Sequence, residues 1–489
     1  MAAGTETVDF TAGTIRPNRD VVDDQMRPRP SIDWSNLRAR LEVEFGMSDE
    51  ELKKYDSIED GDFQSAYEMM QLCRQFENAC NQAYMQGNIR GFMHLDNGQE
   101  AIPAFVADSI KNGDIAYSYY REHTHALAKG IDPGAIMAEL FAKDTGTCRG
   151  TGGSMHIYDV DTHFQGGWAL VSEQLPYAAG AARSILLDRH LGKAPKDDDR
   201  MAIVFCGEGG SQNGRMAETL NAAAKEGLPL LFICIDNGRA INTFTPDVAK
   251  NNDVYLQGQH YGVPGIKVDG GNLEDVLKTG RAVTDYVRSN GPAIMQIHTY
   301  RFMGHSPADP EHERGRKTEK RWARAECDPI KLFEETEVAK RIDLEGANAK
   351  VKADVKKALD FARDSPEPLP SLAKELEFPD KPDTDYNLKV APADAAAVTA
   401  ATVGAEEMAT VQAHLDALTA KAKNGEISIG DAVNLAILEE MIRDPKVVIH
   451  AEDLQAIIPP PTHPPTAPPT HRALPCSFWV VCPPTLSSL

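Results

Sequence analysis

Two polar turns that follow apolar runs carry the residues with the clearest chemical potential. The segment Gly207–Gly214, GEGGSQNG, directly follows the apolar run Met201–Cys206, and Asp236-Asn237 directly follows the next apolar run along the chain. Short apolar runs of this kind are typical of buried parallel strands. Ligands bind at the carboxyl ends of the strands in such sheets, so we expect Glu208 and Asn237 to lie close together there.

Glu208 and Asn237 are candidate metal ligands, because hard divalent cations prefer oxygen donors. The backbone carbonyl of Arg239 is a candidate third ligand by its place in the same turn, and two diphosphate oxygens would complete the shell. Gly209 and Gly210 allow the backbone to approach phosphates, and the N-terminus of the following helix favours negative charge. The alternative is a pair of ordinary strand–helix turns, which the paired spacing makes the weaker interpretation.

The elements around these turns predict an α/β fold with a doubly wound parallel sheet. Helical spacing of apolar residues or short apolar runs predict helices at Asp49–Tyr55, Phe63–Gln86, Gly98–Lys111, Gly134–Ala142, Ala178–Leu187 and Arg215–Lys225, and strands at Met201–Cys206, Leu228–Ile235 and Ala293–Thr299. The segments Val254–Tyr261, Ile266–Val268 and Leu273–Val287 continue the alternation, which indicates a parallel sheet. A mobile loop running into a helix is expected at 305–325, and a surface-like helical stretch at Pro329–Phe361.

Composition excludes several classes of protein. The 489 residues include 73 acidic and 51 basic side chains, for a formal net charge of -22, whereas nucleic-acid binding needs cations that meet phosphates. The eight cysteines form no CxxC pair, so a reducing compartment is expected rather than a disulfide scaffold. No apolar run is long enough to span a membrane. The N-terminus has early acids and no apolar h-region, so the expected location is the cytoplasm or an organelle matrix or stroma.

The segment from Gly207 to Asn237 resembles the thiamine-diphosphate motif of the alpha subunits of 2-oxoacid dehydrogenase decarboxylating components, especially the plastid-like pyruvate dehydrogenase branch. That motif opens with Gly-Asp-Gly and closes with Asn-Asn. The chain departs from it at Glu208, Gln212 and Asp236. The extra methylene of Glu208 moves its carboxylate outward, so the metal must shift or bind less tightly.

Further segments carry the same resemblance and imply site residues. IRGFMHLDNGQEA (Ile89–Ala101) places His94 on the family's active-site histidine, although a lone histidine would otherwise read as a core residue. SYYREHTHALAKG (Ser118–Gly130) puts Tyr120 and Arg121 on the pair that holds the diphosphate, and the planar fork of arginine suits phosphate. RGTGGSMHIYD (Arg149–Asp159) resembles a signature that supports the active-site floor.

Two more segments complete the implied site. GGWALVSEQLPYAAG (Gly166–Gly180) puts Ala169 and Val171 on the backbone positions that contact the aminopyrimidine, with Ser172 and Glu173 replacing smaller residues. YRFMGHSPADPEHER (Tyr300–Arg314) puts His305 on a histidine that reaches the diphosphate side from a loop that gates the site. Ser306 lies where mitochondrial relatives are phosphorylated, and an unmodified serine is the preferred interpretation.

The resemblance implies oxidative decarboxylation of a 2-oxoacid, with pyruvate the leading substrate, and acyl transfer to a lipoyl group. It implies thiamine diphosphate and Mg²⁺ as cofactors, His94 and His305 as catalytic residues, and a beta subunit and a lipoyl acyltransferase as partners, with a heterotetramer as the assembly. The alternatives are an acetoin- or branched-chain-type alpha subunit, or a non-catalytic relative that has lost metal binding. Glu208 and Gln212 motivate the last of these.

The chain is expected to divide into five segments. Residues 1–60 form an N-terminal arm with one short helix, and 61–365 form the thiamine-diphosphate-binding domain. Residues 366–426 form a linker and a helix. Residues 427–457 resemble the opening helix and strand of the family's beta subunit, cut short before the glutamate that activates the cofactor ring. Residues 458–489 form a Pro-rich, disordered tail.

Overall fold

The computed structural model describes residues 29, 30, 32–241, 243–307, 309, 316–377, 405–424, 432, 435 and 436. The chain forms two compact units, one made of 1–186 and 197–370 and the other of 187–196 and 371–489. The expected helix and strand of the beta-like segment and the Pro-rich tail lie almost wholly outside the described residues. Every site residue considered below belongs to the first unit.

In the described part of the chain, six parallel strands form one sheet in the order β2-β1-β3-β4-β8-β7. The strands are β1 (Ile115–Tyr119), β2 (Phe164–Trp168), β3 (Ala202–Gly207), β4 (Leu230–Asp236), β7 (Gly265–Asp269) and β8 (Ala293–His298). A small hairpin, β5 (Arg239–Ala240) with β6 (Thr243–Phe244), follows β4. The predicted doubly wound parallel sheet is confirmed.

Both faces of the sheet are buried, which explains the continuous apolar strands. Ile203 and Phe205 of β3 face one apolar cluster, whereas Val204 and Cys206 face the other. Side chains alternate along a strand, so only a strand buried on both sides is apolar throughout.

Helices cover both faces. Those with residues in the first cluster include α1 (Trp34–Glu44), α3 (Asp60–Met85), α4 (Ala101–Ser109), α6 (Pro133–Leu140), α10 (Leu273–Asn290) and α13 (Leu344–Asp364), and those in the second are α7 (Gln174–His190) and α8 (Gly214–Glu226). The remaining described helices are α2 (Asp49–Leu52), α5 (His123–Ala128), α9 (Thr245–Val248), α11 (Arg316–Glu326), α12 (Pro329–Glu334), α14 (Leu372–Glu377) and α15 (Ala405–Lys423). None of the described helices is long and apolar enough to cross a membrane.

Three expectations from the sequence differ from the structure. The N-terminal arm contains the helix Trp34–Glu44 in addition to the predicted short one, and Leu37 and Leu41 are buried. Strands β1 and β2 were not predicted. The stretch after Pro329 is not surface-like, because α13 packs against α3 and α6 and buries Val351 and Val355.

Candidate active site

The sheet places Glu208 and Asn237 together, as the sequence predicts. The register pairs Gly207 with Ile235, so the residues that follow β3 and β4 leave the sheet side by side. Glu208 is 1% exposed, and its Oε2 lies 3.4 Å from the backbone nitrogen of Asn237. The Oδ1 atom of Asn237 accepts a hydrogen bond from the backbone of Arg239 at 3.3 Å. A carboxylate and an amide oxygen therefore lie side by side in two neighbouring turns at this edge of the sheet.

A glycine keeps the two turns in contact. A Cβ atom on Gly209 would lie 2.5 Å from the Cβ of Ala240 in the β5–β6 hairpin, and real Cβ atoms do not approach so closely. The backbone after β3 can thus lie directly against the turn after β4. Glycine at position 209 is therefore explained by the contact between the two turns.

The side chain of Arg239 anchors the second turn. Its guanidinium carbon lies 3.5 Å from the ring centroid of Phe244, and its Nη2 lies 3.5 Å from Oε2 of the buried Glu319. Tyr300 donates a hydrogen bond to the same carboxylate at 2.8 Å. Only the backbone carbonyl of Arg239 was predicted as a ligand, and the side chain is a structural support.

The rings of His94, Tyr120 and His305 form a cluster. Only the family resemblance had indicated that these three residues belong to one site. The ring centroid of His94 lies 4.5 Å from that of Tyr120 and 4.8 Å from that of His305. Burial, together with the nearby Arg121, lowers the pKa of His94 to about 2, so the imidazole is neutral at pH 7. Its Nδ1 atom is buried without a hydrogen-bond partner among the described residues. Buried polar atoms normally have one, so this nitrogen suits a ligand.

Arg121 is held beneath this cluster by backbone carbonyls. Its guanidinium donates to the carbonyl of Leu95, and its Nη2 donates to the carbonyl of His305 at 3.1 Å. The side chain is 1% exposed. Arginine has five N–H donors, so two bonds to carbonyls leave donors for an anion. The bond to His305 also ties the predicted gating loop to the predicted diphosphate clamp.

A buried polar network that the sequence analysis missed joins the turn of Asn237, a candidate metal ligand, to the segment that contains Arg121. The amide nitrogen of Asn237 donates to Oε1 of Gln99 at 3.3 Å, and Gln99 donates in turn to Asp96. The hydroxyl of Thr124 donates to the other oxygen of Asp96 at 2.6 Å. Burial raises the pKa of Asp96 to about 8 despite these bonds and the nearby Arg121. The sequence does contain a signal for this network, because four polar residues in the run Leu95–Glu100 directly precede an apolar helix.

The residues after Arg121 are held from a second side. The backbone nitrogen of Ile157 donates to Oε1 of Glu122 at 2.7 Å, and Ser154 contacts Nε2 of His123 at 2.8 Å. Burial raises the pKa of Glu122 well above its usual range. Residues 154–157 therefore contact the segment that follows Arg121, and the role of Arg149–Asp159 in the floor of the site stays a prediction.

A different set of potential metal ligands lies behind this floor. Among the described histidines, cysteines and acids, Glu77, Cys80 and His123 have ligand atoms within 4.8 Å of one another, and all three residues are buried. His123 already contacts Glu77 at 3.1 Å through Nδ1. This cluster is separate from the predicted ligands Glu208 and Asn237.

The predicted aminopyrimidine positions lie beside the diphosphate turn. Val171 is 50% exposed, and its Cγ1 lies 3.6 Å from the position that a Cβ on Gly210 would take. Ala169 is partly exposed two residues earlier. Both halves of the predicted cofactor site therefore meet at Gly210.

A parallel sheet with candidate oxygen ligands, an arginine and paired histidines at one edge is typical of cofactor-binding α/β enzymes. Residues 68–371 match the family model of the dehydrogenase E1 component, and the chain belongs to that family. It is 37% identical to the pyruvate dehydrogenase E1 component subunit alpha of Porphyra purpurea over 319 residues, which cover 64% of this chain and 92% of that protein.

Two further relatives agree. The chloroplastic pyruvate dehydrogenase E1 component subunit alpha-3 of Arabidopsis thaliana is 38% identical over 64% of this chain and 74% of its own length. The pyruvate dehydrogenase E1 component subunit alpha of Rickettsia felis is 32% identical over 65% of this chain and 95% of its own length.

Membership of this family implies thiamine diphosphate, and the residues of the candidate site fit that group. The set of Glu208 and Asn237 offers the oxygen donors that a hard cation takes. Arg121 supplies a planar cation that can bind phosphate oxygens. His94 offers a buried nitrogen without a partner in the described part of the chain.

Proposed function

We propose that this chain is the alpha half of a pyruvate dehydrogenase E1 component, which decarboxylates a 2-oxoacid oxidatively and passes the acyl group to a lipoyl group. The observation that carries the proposal is the pairing of Glu208 with Asn237 at neighbouring strand ends, in a chain that spans 92% of its Porphyra purpurea relative. Pyruvate is the proposed substrate, because the relatives above are named for it.

The chain's own residues would bind and orient the cofactor. Glu208, Asn237 and the carbonyl of Arg239 are the proposed ligands of Mg²⁺, and Tyr120, Arg121, Gly209 and Gly210 hold the diphosphate. The backbone at Ala169 and Val171 contacts the aminopyrimidine. When bound, thiamine diphosphate supplies the nucleophilic carbon and the electron sink, which no amino-acid side chain provides.

His94 and His305 are the proposed catalytic residues beside the 2-oxoacid. The neutral imidazole of His94 can donate a hydrogen bond from one ring nitrogen and accept one at the other. Its ring lies edge-to-face against that of His305 at 4.8 Å, so one substrate could contact both. His305 lies on the loop whose carbonyl Arg121 holds, which connects diphosphate binding to the position of this histidine and to exclusion of water.

The partners that we propose are a beta subunit, with which the chain forms a heterotetramer, and a lipoyl acyltransferase. The family forms each active site between alpha and beta chains, and the beta chain supplies the glutamate that activates the cofactor ring. General acid–base catalysis of this kind contributes about 10²–10⁴-fold. Acyl transfer then requires a lipoyl group that reaches the site from the acyltransferase.

The test uses the purified 489-residue chain with and without a complete beta subunit. We expect no pyruvate-dependent reduction of an artificial acceptor by the chain alone, and activity when the beta subunit is added. Acetoin and a branched-chain 2-oxoacid serve as substrate controls and should be used less well. Strong activity from the chain alone would contradict the division of the site between two subunits, and inactivity with every substrate in the complex would contradict the proposed reaction.

A further inference from the structure

Ser172 adopts a backbone conformation that normally belongs to glycine. Its φ is 69°, in the left-handed region that few residues with a Cβ occupy. Glycine would take this conformation without strain. The serine is also 2% exposed, so it is not an unconstrained surface residue. A strained, buried serine suggests that its hydroxyl has a use that offsets the strain.

The hydroxyl of Ser172 bonds to the diphosphate turn. It donates a hydrogen bond of 2.6 Å to the carbonyl oxygen of Gly210. Two residues later, the buried Gln174 donates from Nε2 to the carbonyl oxygen of Phe205, also at 2.6 Å. Two hydrogen bonds therefore hold the start of α7 against β3 and the turn that follows it. The bond from Gln174 reaches the strand, and the bond from Ser172 reaches the turn.

Ser172 lies between the two halves of the proposed cofactor site. Val171, one residue earlier, belongs to the proposed aminopyrimidine segment, and Gly210 belongs to the turn that begins with the proposed metal ligand Glu208. A single hydrogen bond from Ser172 thus joins segments that are far apart in sequence and would bind opposite ends of one molecule.

We propose that Ser172 is a positioning residue that fixes the spacing between the aminopyrimidine half and the diphosphate half of the cofactor site. The inference rests on the proposed function. A molecule that binds two sub-sites at once gains affinity only when both are held at the right separation, because the second contact then becomes intramolecular. Loss of the hydroxyl should leave each sub-site intact and weaken the coupling between them.

The test compares Ser172→Ala with Ser172→Gly. Both variants lose the hydroxyl, but only the glycine variant also loses the backbone strain. Calorimetry on the full chain assembled with a beta subunit measures three probes separately: thiamine diphosphate, thiamine, and pyrophosphate with magnesium. We expect both variants to bind thiamine diphosphate roughly tenfold less tightly, since one buried hydrogen bond is lost. Affinity for either fragment should change less than about twofold.

Ala142→Gly is the matched control, because Ala142 also has a positive φ, of 56°, and has no side-chain hydrogen bond to lose. Ala142→Gly should raise the melting temperature and leave the binding of all three probes unchanged. Ser172→Gly should likewise melt at a higher temperature than Ser172→Ala.

Equal weakening of all three probes in the Ser172 variants would overturn the positioning role, and so would wild-type affinity for thiamine diphosphate. A wild-type complex that binds none of the probes would overturn the proposed function itself, and this inference with it.

Discussion

The imidazole of His94 lies 4.8 Å from that of His305, with the two ring planes inclined at 71°. The first ring projects from the segment before α4 and the second from the loop after β8, and the guanidinium of Arg121 lies close enough to disfavour protonation of His94. The arrangement keeps His94 neutral, and this has a consequence for stability that can be measured.

We expect the chain to lose stability in acid, and His94→Gln to reduce that loss. The pKa of His94 falls to about 2 in the folded chain from an ordinary value of 6.5, so the unfolded chain binds an extra proton between these pH values. The contribution of His94 to the free energy of unfolding is therefore fully present above pH 6.5. It falls as the pH drops toward 2, by at most about 1.4 kcal/mol per pH unit. Urea unfolding at pH 7, 6, 5 and 4 measures the slope.

The exposed His260 provides the control, and His260→Gln should leave the slope unchanged. The buried His125, with a pKa lowered to about 3, contributes in the same window, so His94→Gln should reduce the slope without abolishing it. A slope identical to that of the wild type would show that His94 is not held neutral.

The clamp proposed for Arg121 predicts selective loss of phosphate affinity. Arg121→Ala should weaken thiamine diphosphate far more than thiamine, because only the former presents the oxygens that a guanidinium binds. Arg121→Lys keeps the charge but not the planar fork, so it should give an intermediate result. Calorimetry with both compounds measures the difference, and equal loss for the two would indicate a folding defect.

The proposed metal site predicts different results for substitutions of its two side-chain ligands. Asn237→Ala should abolish magnesium-dependent binding of thiamine diphosphate, since an octahedral shell tolerates the loss of few protein ligands. Glu208→Asp should keep or raise the affinity, because the shorter side chain is the one that the family motif carries. Magnesium titration in the presence of the cofactor tests both. Unchanged binding in Asn237→Ala would contradict the proposed metal site. A large loss of affinity in Glu208→Asp would mean that the two turns have adapted to glutamate.

Glu139 organises the loop that supports the floor of the site. Its carboxylate accepts four backbone hydrogen bonds, from Cys148, Gly150, Gly152 and Gly153, at 2.7 to 2.9 Å. Glu139→Gln replaces one accepting oxygen by a donor, which leaves two partly buried N–H groups facing an NH₂ group. We expect a loss of roughly 2–4 kcal/mol in the free energy of unfolding and faster tryptic cleavage after Arg149. Glu337→Gln, at an exposed position, should change neither.

Local patterns were enough to predict the centre of the sheet but not its edge. β3 and β4 are buried on both faces and are apolar throughout, so each stands out in the sequence. β2 reads Phe-Gln-Gly-Gly-Trp, and two glycines disfavour a strand on propensity alone. It forms because β1 offers a partner edge, and position 167 is glycine because a side chain there would collide with the carboxyl of Glu122. That reason depends on residues distant in sequence.

The candidate site likewise has one part that local sequence patterns predict and another that depends on residues distant in sequence. Glu208 and Asn237 were found because both directly follow recognisable strands. The network through Gln99, Asp96 and Thr124 depends on which polar side chains the fold buries together, and no periodicity reports that. Helix α13 was misjudged for a related reason: its buried face is made of alanine and valine among many charged residues, so its average polarity suggested a surface helix.

The contact between Gly209 and Ala240 restricts the order in which this site can change during evolution. The backbone of Gly209, with a φ of -67°, would accept any residue, and only the methyl group of Ala240 forbids one. A lineage could acquire a side chain at position 209 only after position 240 had become glycine, and a larger residue at 240 would separate the two turns at once. The two positions should therefore vary together, and the history of one cannot be read without the other.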